Sequence, residues 1–361
     1  MENPSPFREL VSGQRTGVVA AWMRTTLRLL AIPYWLVTYC RNRLYDRGLL
    51  TSHRVPALVI SIGNLTVGGT GKTPLVLWLI RWFRQHGRAA AVVSRGYKAR
   101  DGQPNDEAME MAARIPDLVH VQHRDRVAAA GEAIRREGCD IIVLDDGFQH
   151  RRIHRDLDVV LLDALEPFGW DHVLPRGTLR EPVSGLARAH VVALSRADAI
   201  SAEQRSALRD RARRLAPAAD WIEVVHQPTG LIAADGQRRS LDHLQGRPVA
   251  AFCGIGNPQG FLHTLHTLGC RVIEFRALPD HYAYPDAEVS RLARWAETMP
   301  GVDTVLCTCK DLVKLEIQCL GPCELWAVEV GLEVSYGKEN LDRRLRSLLA
   351  NARGTERDSS K

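Results

Sequence analysis

No apolar stretch in this sequence is long enough to cross a bilayer. The longest uncharged one, "LLAIPYWLVTYC" between Arg28 and Arg41, holds twelve residues, whereas a spanning helix needs about 20. Acidic residues are scarce near the start: within the first 55 residues only Glu2, Glu9 and Asp46 face Arg8, Arg15, Arg24, Arg28, Arg41, Arg43, Arg47 and Arg54. Such a segment favours an anionic partner, nucleic acid or a membrane surface. The start also lacks a secretory layout, with Pro4, Pro6 and scattered charges in place of a basic and then apolar leader. The expectation is a cytosolic chain whose eight cysteines stay reduced. There is no internal repeat and no long low-complexity tract, which excludes a solenoid.

What is present describes a globular protein with a sizeable core. Of 361 residues, 45% are hydrophobic and 25% charged, room for two ordinary domains. Trp22, Tyr34, Trp35 and Tyr39 lie in or near the short apolar run and arginines flank it. This is the composition of a helix lying along a membrane interface, or of an amphipathic helix docked on its own domain.

From residue 57 short apolar runs alternate with helical periodicity. "ALVISI", "AAAVVS", "LVHV", "DIIVLDD", "LDVVLLDA" and "HVVALS" read as strands of a parallel sheet, and "TPLVLWLIRWFRQHG" as a helix stopped by Gly87. The predicted fold is α/β, a doubly wound parallel sheet of P-loop NTPase type. Asp235-Gly236 marks a hairpin, after which a second, smaller α/β series begins. The expected divisions are 1–55, a basic aromatic helical segment; 56–222, the P-loop domain; 223–245, a hairpin connector; 246–350, the smaller domain; and 351–361, a disordered tail.

The chemistry starts at "NLTVGGTGKTP". A strand precedes it and a helix follows, the setting in which a glycine-rich turn directs backbone N–H groups at phosphate oxygens. Thr66, Val67, Gly68, Gly69, Thr70, Gly71, Lys72 and Thr73 are the expected ATP contacts. Lys72 reaches the β- and γ-phosphates and the Thr73 hydroxyl binds Mg²⁺. Thr66 stands where the usual pattern opens with glycine. The partner carboxylate comes from "DIIVLDDGFQH", where Asp145 and Asp146 point to opposite faces of an extended strand unless the chain bends. Gly147 permits that bend.

Holding ATP does not name the acceptor, because kinases, ATPase switches and nucleic-acid-dependent ATPases share these parts. Switches usually carry a second lysine before the two glycines, where this chain has Val67. No aromatic-lined basic strand face supports a nucleic-acid partner. The loops "SRGY" (94–97), "NDEA" (105–108) and "LPRGTLRE" (174–181) are the places for acceptor-binding groups.

"GNLTVGGTGKTP", "SRGY", "DDGFQHRRIHRDLDVVLLDA", "LPRGTLREP", "GIGNPQGF", "LPDHYAYPDAEV" and "TCKDLVKL" occur in that order. The set resembles the tetraacyldisaccharide 4'-kinases from about Leu30 to the Leu325 region. The resemblance implies transfer of the ATP γ-phosphate, with Mg²⁺, to the 4'-hydroxyl of a tetraacylated glucosamine disaccharide 1-phosphate in lipid A biosynthesis. It implies a peripheral enzyme on the cytoplasmic face of the inner membrane, taken here as a monomer. It also implies two α/β domains joined by a two-stranded connector, with the active site in the cleft. Carried over by position, Asp106 (with Asn105 where the family has glycine) and His281 are the catalytic pair, brought together by domain closure, with Lys72. Asp145, Asp146 and Gln149 join Thr73 as the metal shell, and Tyr97, Arg126, Arg180 and Glu181 are substrate or cleft residues. Arg151, Arg152 and Arg155 serve the substrate's 1-phosphate or anionic headgroups, or else form a charged loop paired with Asp156 and Asp158. Cys307, Cys309, Cys319 and Cys323 lie close together in sequence, but C-x-C and C-x₃-C are not the common zinc-knuckle spacings, and the sequence leaves open whether they bind metal.

Overall fold

A computed structural model of the chain describes residues 6–68, 70–96, 106–115, 117–256, 258–280 and 282–358. The elements run α1 Pro6–Ser12, α2 Val18–Asp46, β1 Leu58–Asn64, α3 Lys72–Gln85, β2 Ala90–Ser94, α4 Asp106–Arg114, β3 Val119–Gln122 and α5 Arg126–Glu137. They continue with β4 Ile141–Asp145, β5 Leu157–Asp163, β6 Val191–Ser195, α6 Ala202–Leu215, β7 Asp220–Ile232, β8 Arg238–Arg239, β9 Pro248–Cys253 and α7 Pro258–Thr267. Last come β10 Arg271–Ala277, α8 Asp286–Glu297, β11 Thr304–Thr308, α9 Cys309–Leu315, β12 Cys319–Leu320, β13 Cys323–Tyr336 and α10 Lys338–Asp358. The chain divides into two units. The P-loop unit comprises Pro4–Tyr97, Leu118–His226 and Leu332–Lys361, and the second unit is built chiefly from Lys98–Asp117 and Gln227–Gly331.

In the P-loop unit the strand order is β7-β6-β5-β1-β4-β2-β3, and every pair is parallel. β1 sits in the middle because Val59, Ile60 and Ile62 bury both of its faces. From β1 the chain runs through α3 to β2 on one side, and from the adjacent β5 it runs to β6 on the other, so the carboxyl ends of β1 and β5 are the switch point where a doubly wound sheet binds ligands. Leu75, Leu79, Ile80 and Phe83 of α3 supply the helix face against that sheet.

The second unit orders its strands β10-β9-β11-β13, again parallel, with β12 antiparallel on β13. Phe252, Leu292, Trp295 and Leu325 fill one side of that sheet and Phe261, Leu265 and Trp326 the other.

The division differs from the sequence expectation in four places. α4 belongs to the second unit, not to the 56–222 domain, since Arg114 is anchored there by Glu329 at 3.5 Å and by the Val330 carbonyl. α10 belongs to the P-loop unit, not to the 246–350 domain: Leu341, Leu345 and Leu349 form a buried stripe, and Trp82 Nε1 of α3 donates to Asp342 at 3.0 Å. α10 also runs to Asp358, into the expected tail. The Asp235-Gly236 hairpin exists, pairing Leu231 with Arg239, but it lies within the second unit; the chain passes between units within β7 and β13. Each exchange is invisible to a left-to-right reading, because a long-range contact decides it.

Leu345 is fully buried on α10. Leu345→Ala is expected to cost about 2–5 kcal/mol in urea unfolding of the P-loop unit. Hydrogen exchange should show α3 losing protection while β9 and β11 keep theirs; equal loss in both units would refute the assignment of α10.

Candidate active site

The phosphate-binding turn is held from below and from the side. Its first residues are laced to the 174–181 loop by backbone: Arg180 N donates to Leu65 O at 2.7 Å and Val67 N to Thr178 O at 2.8 Å. Gly71 takes left-handed backbone at φ 76° as the cap of α3, and a Cβ there would lie 2.4 Å from His226 Cε1. No other residue fits that corner. Thr66 and Thr70 are buried, and Lys72 and Thr73 open the helix at its positive end. The Asn64 side-chain oxygen and nitrogen and the Thr70 hydroxyl are buried without hydrogen-bond partners among the described residues, the state of groups waiting on a polar ligand. Arg8 of α1 comes within 3.5 Å of where a Gly68 Cβ would be. Gly69 and Tyr97 lie outside the described residues.

Opposite the turn stands Asp146. The bend that sequence reasoning placed at Gly147 occurs at Asp146 itself, which adopts φ 56°. Gly147 N donates to Ile62 O at 3.0 Å. A Cβ on Gly63 would lie 2.6 Å from Phe148 Cβ, so the loop after β4 packs directly on β1. Asp146 Oδ1 lies 3.4 Å from Lys72 Nζ and Oδ2 lies 2.7 Å from Arg180 Nη1. Burial pushes this carboxyl up, but the two cations overcome it and hold the pKa below the ordinary value. Asp145, buried, ends β4 just before the bend.

Gln149 and Glu181 form the site's floor. Gln149 Nε2 donates to Asn64 O and to Glu181 Oε1, both at 2.9 Å. Glu181 is almost wholly buried and also takes bonds from Arg188 (2.8 Å) and Asn42 (2.7 Å). Glu181 is therefore a structural anchor, and the Gln149 nitrogen is committed to holding it. α2 is pinned to the same floor by Tyr34 Oη donating to Arg180 O and Arg41 to Gln149 O.

Arg126 is buried at the start of α5, and its Nε finds no hydrogen-bond partner. Burial, then Arg95, lowers its pKa, while Asp146 and Asp145 raise it. It is thus a desolvated cation facing the same carboxylates, not part of a solvated helix face. His150 is driven down to about 4 by burial and then by Arg126 and Arg41, so this end of the DDGFQH loop stays neutral. The arginines that follow are neutralised: Arg151 by Asp46 at 2.8 Å, Arg152 by Asp125 at 2.7 Å and Arg155 by Asp158 at 2.9 Å. Of the expected readings, the paired charged loop is the one observed, though only Arg155 finds a predicted partner.

Asp106 is the first residue of α4; its side chain and all of His281 lie outside the described residues. Asp106 was expected in the P-loop domain, but its helix falls in the second unit, the same unit as residues 227–331. Described residues elsewhere on these elements are tied by buried carboxylates. α4 ends on buried Arg114, tied to Glu110 (3.2 Å) and Glu329, while Arg238 holds Glu329 at 2.9 Å. Near position 281, fully buried Asp311 accepts from Gly254 N (3.0 Å), Tyr284 Oη (2.8 Å) and Thr308 Oγ1 (2.6 Å), fixing three loops at once. Sequence reasoning missed Asp311 as a structural carboxylate, although it sits in the quoted "TCKDLVKL"; a carboxylate inside an otherwise apolar helical face was the available signal. The four cysteines left open by the sequence do not gather as a metal site among the described residues. Cys307, Cys309 and Cys323 are buried in one apolar cluster and Cys319 is exposed, Cys309 donating to Val328 O and Cys323 to Val302 O. Among the described residues no group of three His, Cys, Asp or Glu gathers as a metal site.

The same observation bears on Mg²⁺. The turn offers Thr73 with Asp145 or Asp146, hard oxygen donors but no full protein cage, which fits an ion that keeps waters and phosphate oxygens as ligands.

Comparison with known proteins identifies the family. Residues 23–350 match the family model described as Tetraacyldisaccharide-1-P 4'-kinase. The tetraacyldisaccharide 4'-kinase of Anaeromyxobacter sp. (strain K) is 40% identical over 360 residues, covering 94% of each chain. That of Syntrophus aciditrophicus is 37% identical over 313 residues, covering 80% of this chain and 83% of the relative. The crystal structure of LpxK from Aquifex aeolicus in complex with ATP shares 29% identity at a TM-score of 0.73, covering 90% of this chain and 99% of that one. A matched family model across nearly the whole chain, over a phosphate turn closed by Lys72, Asp146 and Arg180, leaves one conclusion: this chain belongs to the tetraacyldisaccharide 4'-kinase family.

Proposed function

We propose that the chain transfers the γ-phosphate of ATP to the 4'-hydroxyl of a tetraacylated glucosamine disaccharide 1-phosphate, with the phosphate tail gripped by residues 66–73. The observation that carries the assignment of roles is the pairing of Lys72 and Arg180 on one carboxylate, Asp146, at the switch point of the sheet. Phosphoryl transfer needs little covalent help; it needs the phosphates held in line and the developing charge offset. Lys72 and Arg180 are the cations for that charge, and Arg126 is a third, already desolvated. Mg²⁺ held by Thr73 with Asp145 or Asp146 would neutralise further charge on the phosphates. Asp106 orients the sugar hydroxyl and takes its proton, with His281 as its partner; the motif match supports both roles. Asp311 acts on neither directly. By tying Gly254, Tyr284 and Thr308 together it positions the loop that carries His281.

The site of action is a membrane surface, here proposed as the cytoplasmic face of the inner membrane. Supporting this, α2 is 29 residues long, and Trp22, Leu29, Leu30, Ile32, Leu36 and Val37 are exposed along it. No helix among the described residues is long and apolar enough to cross a membrane. Apolar side chains left in water on a helix already pinned by Tyr34, Arg41 and Asn42 are best accounted for by insertion at an interface.

Labelled phosphate transfer to the acylated disaccharide in detergent micelles tests the reading. Lys72→Ala is expected to lose about 10²–10³-fold in kcat, and Asp106→Ala or His281→Ala about 10²–10⁴-fold. ATP hydrolysis without a phosphorylated sugar in the wild type would favour a switch instead.

Asp146→Asn should leave ATP bound but lower kcat about a hundredfold or more, because Lys72 and Arg180 lose their common anchor. Unchanged turnover would remove Asp146 from the site.

Asp311→Asn should retain the fold and KM for ATP while reducing kcat, an effect on positioning. A change confined to KM for ATP would contradict it.

A further inference from the structure

The P-loop unit contains a second cationic cluster, and among the described residues the one carboxylate in its lining, Asp171, pairs with Arg211 instead. Beside α2 lies a cleft of about 250 Å³, with Arg28, Ile32 and Trp35 on one wall and His172, Arg176 and Val183 on the other. Arg24 stands one turn before Arg28 on the same helix. Arg24 donates to Arg15 O at 2.8 Å and Arg176 to Val11 O at 2.9 Å, while Arg28 Nη2 lies 3.5 Å from His172 Nε2. Among the described residues none of these three arginines has a carboxylate at ion-pair distance. Asp171 also lines the cleft, and Arg211 is its ion-pair partner.

The consequence is mutual repulsion in a partly dry place. Burial, then Arg28 and Arg24, lowers the pKa of Arg176; burial, then Arg176 and Arg28, lowers that of His172, and Asp171 opposes them without reversing the direction. Like charges held together this way are stabilised by a bound anion. The arginines of the 151–155 loop, by contrast, are all paired.

Asp171 apart, the rest of the lining is apolar, and Ile32 and Trp35 in it are among the exposed apolar residues of α2. An anion of fixed charge with a hydrocarbon chain attached fills both halves; a free phosphate fills only one. We propose that this cleft binds an anionic phospholipid of the membrane, its phosphate between Arg28, Arg176 and His172 with Arg24 nearby, and its first acyl methylenes along Ile32, Trp35 and Val183. The site is distinct from the phosphate turn, but the wall that forms it continues through Leu179 to Arg180, the residue bound to Asp146. The inference rests on the interfacial reading of α2.

The test is vesicle sedimentation of the full chain on phosphatidylcholine alone and on phosphatidylcholine with phosphatidylglycerol. Wild type should bind the anionic vesicles far more tightly. Arg28→Gln/Arg176→Gln should lose about thirtyfold on the anionic vesicles and nothing on the neutral ones. Arg24→Gln/Arg28→Gln, which leaves the buried wall intact, should lose a similar amount. Arg213→Gln/Arg214→Gln, the same charge change on exposed positions of α6, should lose less than about twofold, a remote charge being screened. An equal loss from the α6 pair, or none from the cleft variants, would overturn the site. Wild type binding both vesicles equally overturns the site but leaves the interfacial reading; wild type binding neither overturns both. Phosphate transfer in phospholipid-free detergent should be unaffected by the cleft variants. A raised KM for the acylated disaccharide there would assign the cleft to the substrate's own phosphate and overturn the proposal.

Discussion

The carboxylate of Asp146 is the constraint on which the P-loop unit's chemistry depends. Lys72 stands at the first residue of α3, where the helix dipole is already positive, and Arg180 approaches from the opposite loop. Two cations in that corner need a common anion, and the left-handed turn at Asp146 delivers one between them. Everything around it serves to keep that turn in place. Gly147 hydrogen-bonds the end of β1, Phe148 occupies the space that glycine leaves at position 63, and Gln149 ties the loop to Glu181. Buried ion pairs rarely add much stability over apolar packing, but they specify geometry. Here the geometry is that of the groups that meet phosphate.

The second unit uses the same device twice without any link to phosphate. Arg114 and Arg238 share Glu329, and Asp311 gathers a backbone amide and two hydroxyls. One cluster fixes the far end of α4, whose first residue is Asp106, and the other fixes Tyr284 and Gly254 around the loop that includes position 281. Neither cluster is needed to fill a core already supplied with Phe252, Trp295 and Trp326. Their common effect is to hold the ends of loops.

Strands and helices of the P-loop unit were legible in the sequence because each is local: "ALVISI" is buried on both faces and "TPLVLWLIRWFRQ" carries a single apolar stripe. The phosphate turn was legible for the same reason, a strand, glycines and a lysine within one short segment. Membership of α4 and α10 was not, because Arg114 finds Glu329 across 215 positions and Trp82 finds Asp342 across 260. The hydrogen bonds that join Gln149 to Glu181 were not legible for a related reason. Nothing local shows that Asn42, in another element, completes their hydrogen bonds. α9 was missed because a two-turn helix between strands leaves too little periodicity to see.

The arginines show how far composition alone reaches. The excess of positive charge near the start is real, but its meaning depends on which guanidiniums find carboxylates after folding. Arg151, Arg152 and Arg155, adjacent in sequence and the more conspicuous cluster, are each neutralised within the fold. Arg24, Arg28 and Arg176 come from two distant segments and keep their charge. Arg41 is spent on a backbone carbonyl at the floor of the site. A cluster of charges that folding leaves without a paired carboxylate, next to apolar side chains that folding leaves in water, suits a surface that offers both an anion and hydrocarbon. On α2 these two deficits lie on the same helix, and that helix is fastened by Tyr34 and Asn42 to the loop that delivers Arg180.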